Sequence, residues 1–76
     1  MNALQRRLLE RLRKLRAGTT MCPGQLSRDC GTTLAEARGD ILDLAEAGKL
    51  TLSQRGRDVA SGKGLKGPFR VRLRDG

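Results

Sequence analysis

The sequence predicts an α+β fold, a winged helix-turn-helix with three helices, a small antiparallel sheet and a basic wing. Three features carry that expectation. Residues 33–47 read as a helix with both ends marked. A short Pro-led segment and a glycine precede it, which is the spacing of a helix-turn-helix. An alternating strand, a Gly-rich basic loop and a second alternating strand follow it, which is the pattern of a wing. The 76 residues make a single domain over 1–76. A chain of this length buries only about 60% of the surface its unfolded form exposes, so its core is small.

The first helix is expected over residues 2–17. Leu4, Leu8, Leu12 and Leu15 form a stripe, with Leu9 at its margin. Arg6, Arg7, Arg13 and Lys14 lie opposite, Arg11 and Arg16 flank the stripe, and Gly18 closes the helix. Such a basic amphipathic helix can lie on a membrane surface. Its apolar face has no Trp or Phe, so a stripe that faces the core is expected instead.

Residues 19–22 form a short strand. Thr19 and Thr20 are β-branched, and Cys22 precedes Pro23, which biases it away from helix. Pro23 opens a second helix over 23–30, in which Leu26 and Cys30 share a face. Gly31 breaks the chain. The third helix, 33–47, has Thr33 as N-cap and Glu36 three residues on, the spacing of a capping box. Gly48 suits the left-handed position just past its end. Leu34, Ala37, Ile41, Leu44 and Ala45 share one face, whereas Glu36, Asp40, Asp43 and Glu46 face outward. A strand follows over 49–54, then a wing loop over 55–67 and a closing strand over 68–74. In the closing strand Phe69, Val71 and Leu73 face the core, and Arg70, Arg72 and Arg74 face out.

The net charge is +8 and the pI about 11.1. Charge of this size in so short a chain implies a polyanionic partner, nucleic acid before an anionic membrane surface. It is unevenly spread. Residues 1–20 carry net +5, residues 21–48 net −3 and residues 49–76 net +6, so a polyanion surface should come from the two ends of the chain. No apolar run is long enough for a signal sequence or a membrane span, and a soluble cytoplasmic protein is expected. Cys22 and Cys30 are then free thiols, small apolar fillers around the second helix. Phe69 is the one aromatic residue.

Little in the sequence supports enzyme chemistry. There is no His and no Tyr, so neither thiol has an evident base, and a zinc site would need two further ligands. No catalytic residue, metal or cofactor is expected, and the chain is not read as an enzyme. The carboxylates of the third helix neighbour one another at i+3 and i+4, without loop carbonyls to complete a metal shell. They read as a solvated face, or as a docking surface for basic groups on a partner or on the first helix.

Duplex DNA is the partner that the charge and the fold favour. Arg55, Arg57, Lys63 and Lys66 in the wing are the candidates for phosphate contact. Thr32, Thr33 and Arg38, near the N-terminus of the third helix, are the candidates for base contact in the major groove. Arg6, Arg7, Arg13 and Lys14 are an alternative basic surface. Transcriptional regulation is the role such a protein suggests. The alternative is a protein-interaction module that docks through the acidic third helix. The oligomeric state stays open between monomer and homodimer.

Three motifs, Thr20-Met21-Cys22-Pro23, Ser53-Gln54-Arg55-Gly56-Arg57 and Gly67-Pro68-Phe69-Arg70-Val71-Arg72, carry a resemblance over residues 5–74. The chain resembles a small bacterial winged-helix family of uncharacterised function. Its members carry a Cys-Pro-centred second helix, a Gln-Arg/Lys-Gly-Arg segment and a closing Gly-Pro strand. They often have a small residue and Glu after Cys-Pro, where this chain has Gly24-Gln25, and a more basic third helix. The resemblance implies the fold and no particular activity.

Overall fold

The computed structural model describes residues 1–59 and 65–74. Its elements run α1 (Ala3–Arg13), α2 (Pro23–Asp29), α3 (Leu34–Glu46), β1 (Leu50–Gln54), β2 (Arg57–Val59) and β3 (Arg70–Leu73). α1 and α3 stand against a three-stranded antiparallel sheet of order β2-β1-β3, and α2 packs on both of these helices. This is the α+β winged-helix arrangement expected from the sequence.

The helix ends follow from side-chain and glycine chemistry. At α1 the Asn2 side chain accepts from the Gln5 N–H (2.8 Å) and the Gln5 side chain accepts from the Asn2 N–H (3.0 Å), a capping box. The helix ends at Arg13 rather than at residue 17. There Lys14 and Leu15 donate to Arg11 and Leu12, three residues back, and these tighter bonds turn the chain toward the sheet. α2 and α3 both end in a Schellman motif. Thr32 N–H reaches Ser27 O (3.0 Å) over Gly31, and Lys49 N–H reaches Leu44 O (2.9 Å) over Gly48. Both glycines have φ near +80°, at +80° and +77°, where a side chain would be strained. The Gly31 motif sets the angle between α2 and α3, which is the turn of the helix-turn-helix.

Thr33 caps α3, as expected, with its hydroxyl accepting from the Glu36 N–H at 3.3 Å. The reciprocal half of the expected box differs. The Glu36 carboxylate accepts from the Thr33 hydroxyl (3.3 Å) and leaves the Thr33 N–H alone.

The core is aliphatic. Leu8, Leu9 and Leu12 of α1 meet Leu26 of α2, Ala37, Ile41 and Leu44 of α3, and Leu50, Leu52, Phe69 and Val71 from the sheet side. Leu4, Leu15 and Leu73 are only half-buried at its edge. The strand expected over 19–22 contracts to one bridge, in which Met21 and Val71 exchange hydrogen bonds of 2.7 and 2.9 Å. Met21 thus lies beside β3, on the side away from β1.

The region read as one long wing loop, 55–67, contains β2. A two-residue turn at Arg55 and Gly56 brings the chain straight back, and Gln54 pairs with Arg57, Ser53 with Asp58, and Leu52 with Val59. β2 has no alternating pattern to announce it, since of Arg57, Asp58 and Val59 only Val59 is even partly covered.

Candidate nucleic-acid interface

The β1–β2 turn puts an arginine where arginine is strained. Arg55 has φ +54° and Gly56 φ +79°, so both central residues are left-handed, as a type I′ hairpin turn requires. Asn-Gly is the comfortable pair for this turn. An exposed Arg at its first central position costs roughly 1 kcal/mol relative to a residue that accepts the left-handed region.

Arg55 and Arg57 line an open groove at the hairpin end of the sheet, Arg57 on the Leu52 side by its pairing with Gln54. Thr20 and Cys22, Ser53 and Gln54, Lys66, and Arg70 and Arg72 continue its lining. The alternation of β1 and β3 explains the contrast between faces. Leu50, Leu52 and Val71 go to the core, and Ser53, Arg70 and Arg72 to the other side. The charges there are organised. Arg72 forms a two-pronged bridge across the sheet to Asp58, at 2.8 and 3.0 Å, and this partner holds the Asp58 carboxyl below the usual range. Arg70 is fixed by Thr20, whose hydroxyl accepts from Nε (2.6 Å) and whose carbonyl accepts from Nη2 (3.1 Å). Arg55, Arg57 and Lys66 are exposed and have no acidic partner among the described residues.

The structure therefore brings three of the wing candidates, Arg55, Arg57 and Lys66, around one groove. Lys63 lies outside the described residues. The candidates on α3 are placed differently. Arg38 is half-buried, donates from Nη2 to the Leu65 carbonyl (2.8 Å) and stacks over Phe69 at 5.6 Å from the ring centre. Gln54 donates to the next carbonyl, that of Lys66. Two side chains from two elements thus grip successive carbonyls and fix the segment that leads into β3. The Arg38 fork is committed inside the molecule. Thr33 is committed to its cap, Thr32 is half-buried, and neither threonine lines the groove. Arg70 and Thr20 were not among the site candidates. The outward position of Arg70 was legible, but its pairing with Thr20, fifty residues away, was not.

Glu36, Asp43 and Glu46 are exposed on α3, and Asp40 accepts from the Asn2 side chain at 3.0 Å. Among the described residues none of these four pairs with a cation of α1. Arg11 of α1 goes to Asp29 of α2 instead (3.0 Å). The Gln25 amide first, and Arg11 second, hold the Asp29 carboxyl low.

The two thiols part company. Cys30 is a core filler, as expected, and burial raises its pKa. Cys22 is exposed at the N-cap of α2, because the turn into Pro23 carries its side chain outward. Its thiol makes no cap hydrogen bond. The N–H groups of Gln25 and Gly24 beside it, then Arg28 and Arg70, favour its thiolate and lower its pKa. No group of three or more metal-ligating side chains occurs among the described residues. No helix among them is long and apolar enough to cross a membrane.

Three helices, a glycine-turned helix pair and a small sheet with a basic hairpin define a small winged-helix domain. The sequence matches the model of a family described as a protein of unknown function (DUF3253) over residues 1–74. The chain belongs to that family. A search of curated proteins finds no match.

Proposed function

We propose that this protein binds duplex DNA through its phosphate backbone, with little reading of base sequence. The observation that carries this is Arg55. An exposed cation sits at a turn position where its backbone is strained and where a neutral Asn would be relaxed. Strain retained at an exposed site points to function when the side chain itself has work to do there. Arg57 and Lys66 stand on the same groove, and the net charge of +8 supplies long-range attraction. Thr32 and Thr33 remain the groups that a helix entering the major groove would present first. With Arg38 held by Leu65 and Phe69, α3 offers no free guanidinium for a bidentate grip on guanine. A role in transcription would then depend on occupancy rather than on choice of an operator.

The test is the salt dependence of affinity for a random-sequence duplex. Three or four neutralised phosphates give a log–log slope of about −3 to −4, and scrambling the duplex sequence leaves affinity unchanged. Affinity that ignores salt, or that survives on one sequence alone, contradicts the proposal.

A second reading rests on the exposed carboxylates Glu36, Asp43 and Glu46, which form no ion pair among the described residues and would make α3 a surface for a basic protein partner. It predicts a stoichiometric protein complex that charge-neutral substitutions on α3 abolish, while duplex DNA binds weakly or not at all.

A further inference from the structure

The nucleic-acid reading leaves open where the backbone runs. We infer that one phosphate strand of the duplex lies along the groove at the hairpin end of the sheet, from the Arg55–Gly56 turn past Lys66 to the Thr20-held guanidinium of Arg70. This rests on the function proposed above and names the surface that performs it.

Three observations converge on that path. The groove is cationic along its length, because its one carboxylate among the described residues, Asp58, is already neutralised by Arg72. Arg70 is preorganised: Thr20 holds Nε and Nη2, so the guanidinium plane is set before any ligand arrives and Nη1 is left to donate. The backbone from which Lys66 projects is also held, since Gln54 and Arg38 grip the carbonyls of residues 66 and 65, while its ammonium stays free to reach a phosphate. A fixed donor such as Arg70 loses little entropy on binding a polyanion.

The groove suits a duplex backbone better than a single strand. Single-strand sites stack bases on exposed aromatic rings. The chain's one aromatic residue, Phe69, is only 5% exposed. The solvent surface of α3 repels the same ligand, because it carries Glu36, Asp43 and Glu46. The contrast between the groove and α3 keeps α3 turned away from the duplex.

The experiment is fluorescence anisotropy with a labelled random-sequence duplex across a salt series. The variants are R57Q, K66Q and R70Q, with R6Q/R7Q on α1 as the control cations and R70K to keep the charge without the fork. Thermal melts verify that each variant folds. Each of R57Q, K66Q and R70Q is expected to flatten the salt slope by about one, the loss of one phosphate contact. R6Q/R7Q leaves the slope unchanged, and R70K restores the slope while binding less tightly than wild type. The groove is refuted if R6Q/R7Q flattens the slope and the sheet variants do not, and in that case DNA binding itself still stands. Wild-type protein that ignores the duplex refutes DNA binding as a whole. Wild-type protein that prefers polyglutamate to the duplex refutes the choice of occupant.

Discussion

Arg55 holds its cation at a cost in backbone energy, and that cost is measurable apart from any ligand. Arg55→Asn converts the turn to the favoured Asn-Gly pair and should raise unfolding stability by about 1 kcal/mol in denaturant titration. The same variant should bind duplex DNA less tightly, with a flatter salt slope. A variant that gains stability and keeps full affinity removes the functional reason for the strain. Cys22 and Cys30 offer a second contrast at this scale. Cys22 is exposed with a thiolate favoured by the first turn of α2, whereas Cys30 is buried with its pKa raised. Iodoacetamide at neutral pH should therefore modify Cys22 first, and C22S protein should label only as fast as it unfolds. Equal labelling of both thiols would mean that α2 opens readily.

Among the elements, α3 was the most legible in the sequence, because its cap, its apolar face and its terminal glycine agree with one another. Its 3.6-residue period survives into the buried set Ala37, Ile41 and Leu44. Gly39 departs from that consistency. It lies mid-helix on an exposed position, and nothing stands within 4 Å of where a Cβ would be. Gly39→Ala should stabilise the fold by about 0.5–1 kcal/mol in thermal or chemical unfolding, since only backbone entropy is at stake. A loss of stability would show that the α3 backbone there is under a constraint the fold does not explain. β2 was not legible. Its residues carry no apolar alternation, and its pairing is imposed by the turn at Arg55 and Gly56 and by a single apolar pair, Leu52 with Val59. The end of α1 was misplaced for a related reason. Leu15 continues the stripe in sequence, but the chain must leave the helix by Lys14 to deliver Met21 to Val71. Of the candidate site, the wing cations were legible from charge alone. The inward commitment of Arg38 depends on Leu65 and Phe69, about thirty residues on, and no local pattern encodes it.

Across the molecule, two ion pairs among the described residues link separate elements, Arg11 with Asp29 and Arg72 with Asp58, and both bear on acid stability. Asp29 and Asp58 both have carboxyl pKa values depressed in the folded state, by Gln25 and Arg11 and by Arg72 respectively. A depressed folded pKa contributes stability that is present above the unfolded value, about pH 4, and is lost as the pH falls through the folded value. Thermal melts should thus hold steady from neutrality down to about pH 4 and fall below it. The D29N/D58N variant should show a flatter acid limb, and an acid limb identical to wild type would mean that these pairs are silent. The charge asymmetry between the groove and α3 is the molecular property on which DNA binding depends. It is tested most directly by an amide NMR titration of isotope-labelled protein with a random-sequence duplex at about 150 mM salt, where exposed charges are screened beyond about 8 Å. Binding through the wing and sheet predicts shifts concentrated at residues 55–57 and 66–70, with Thr20 following Arg70. Shifts confined to residues 6–16 of the chain, or no shifts at all, would contradict it.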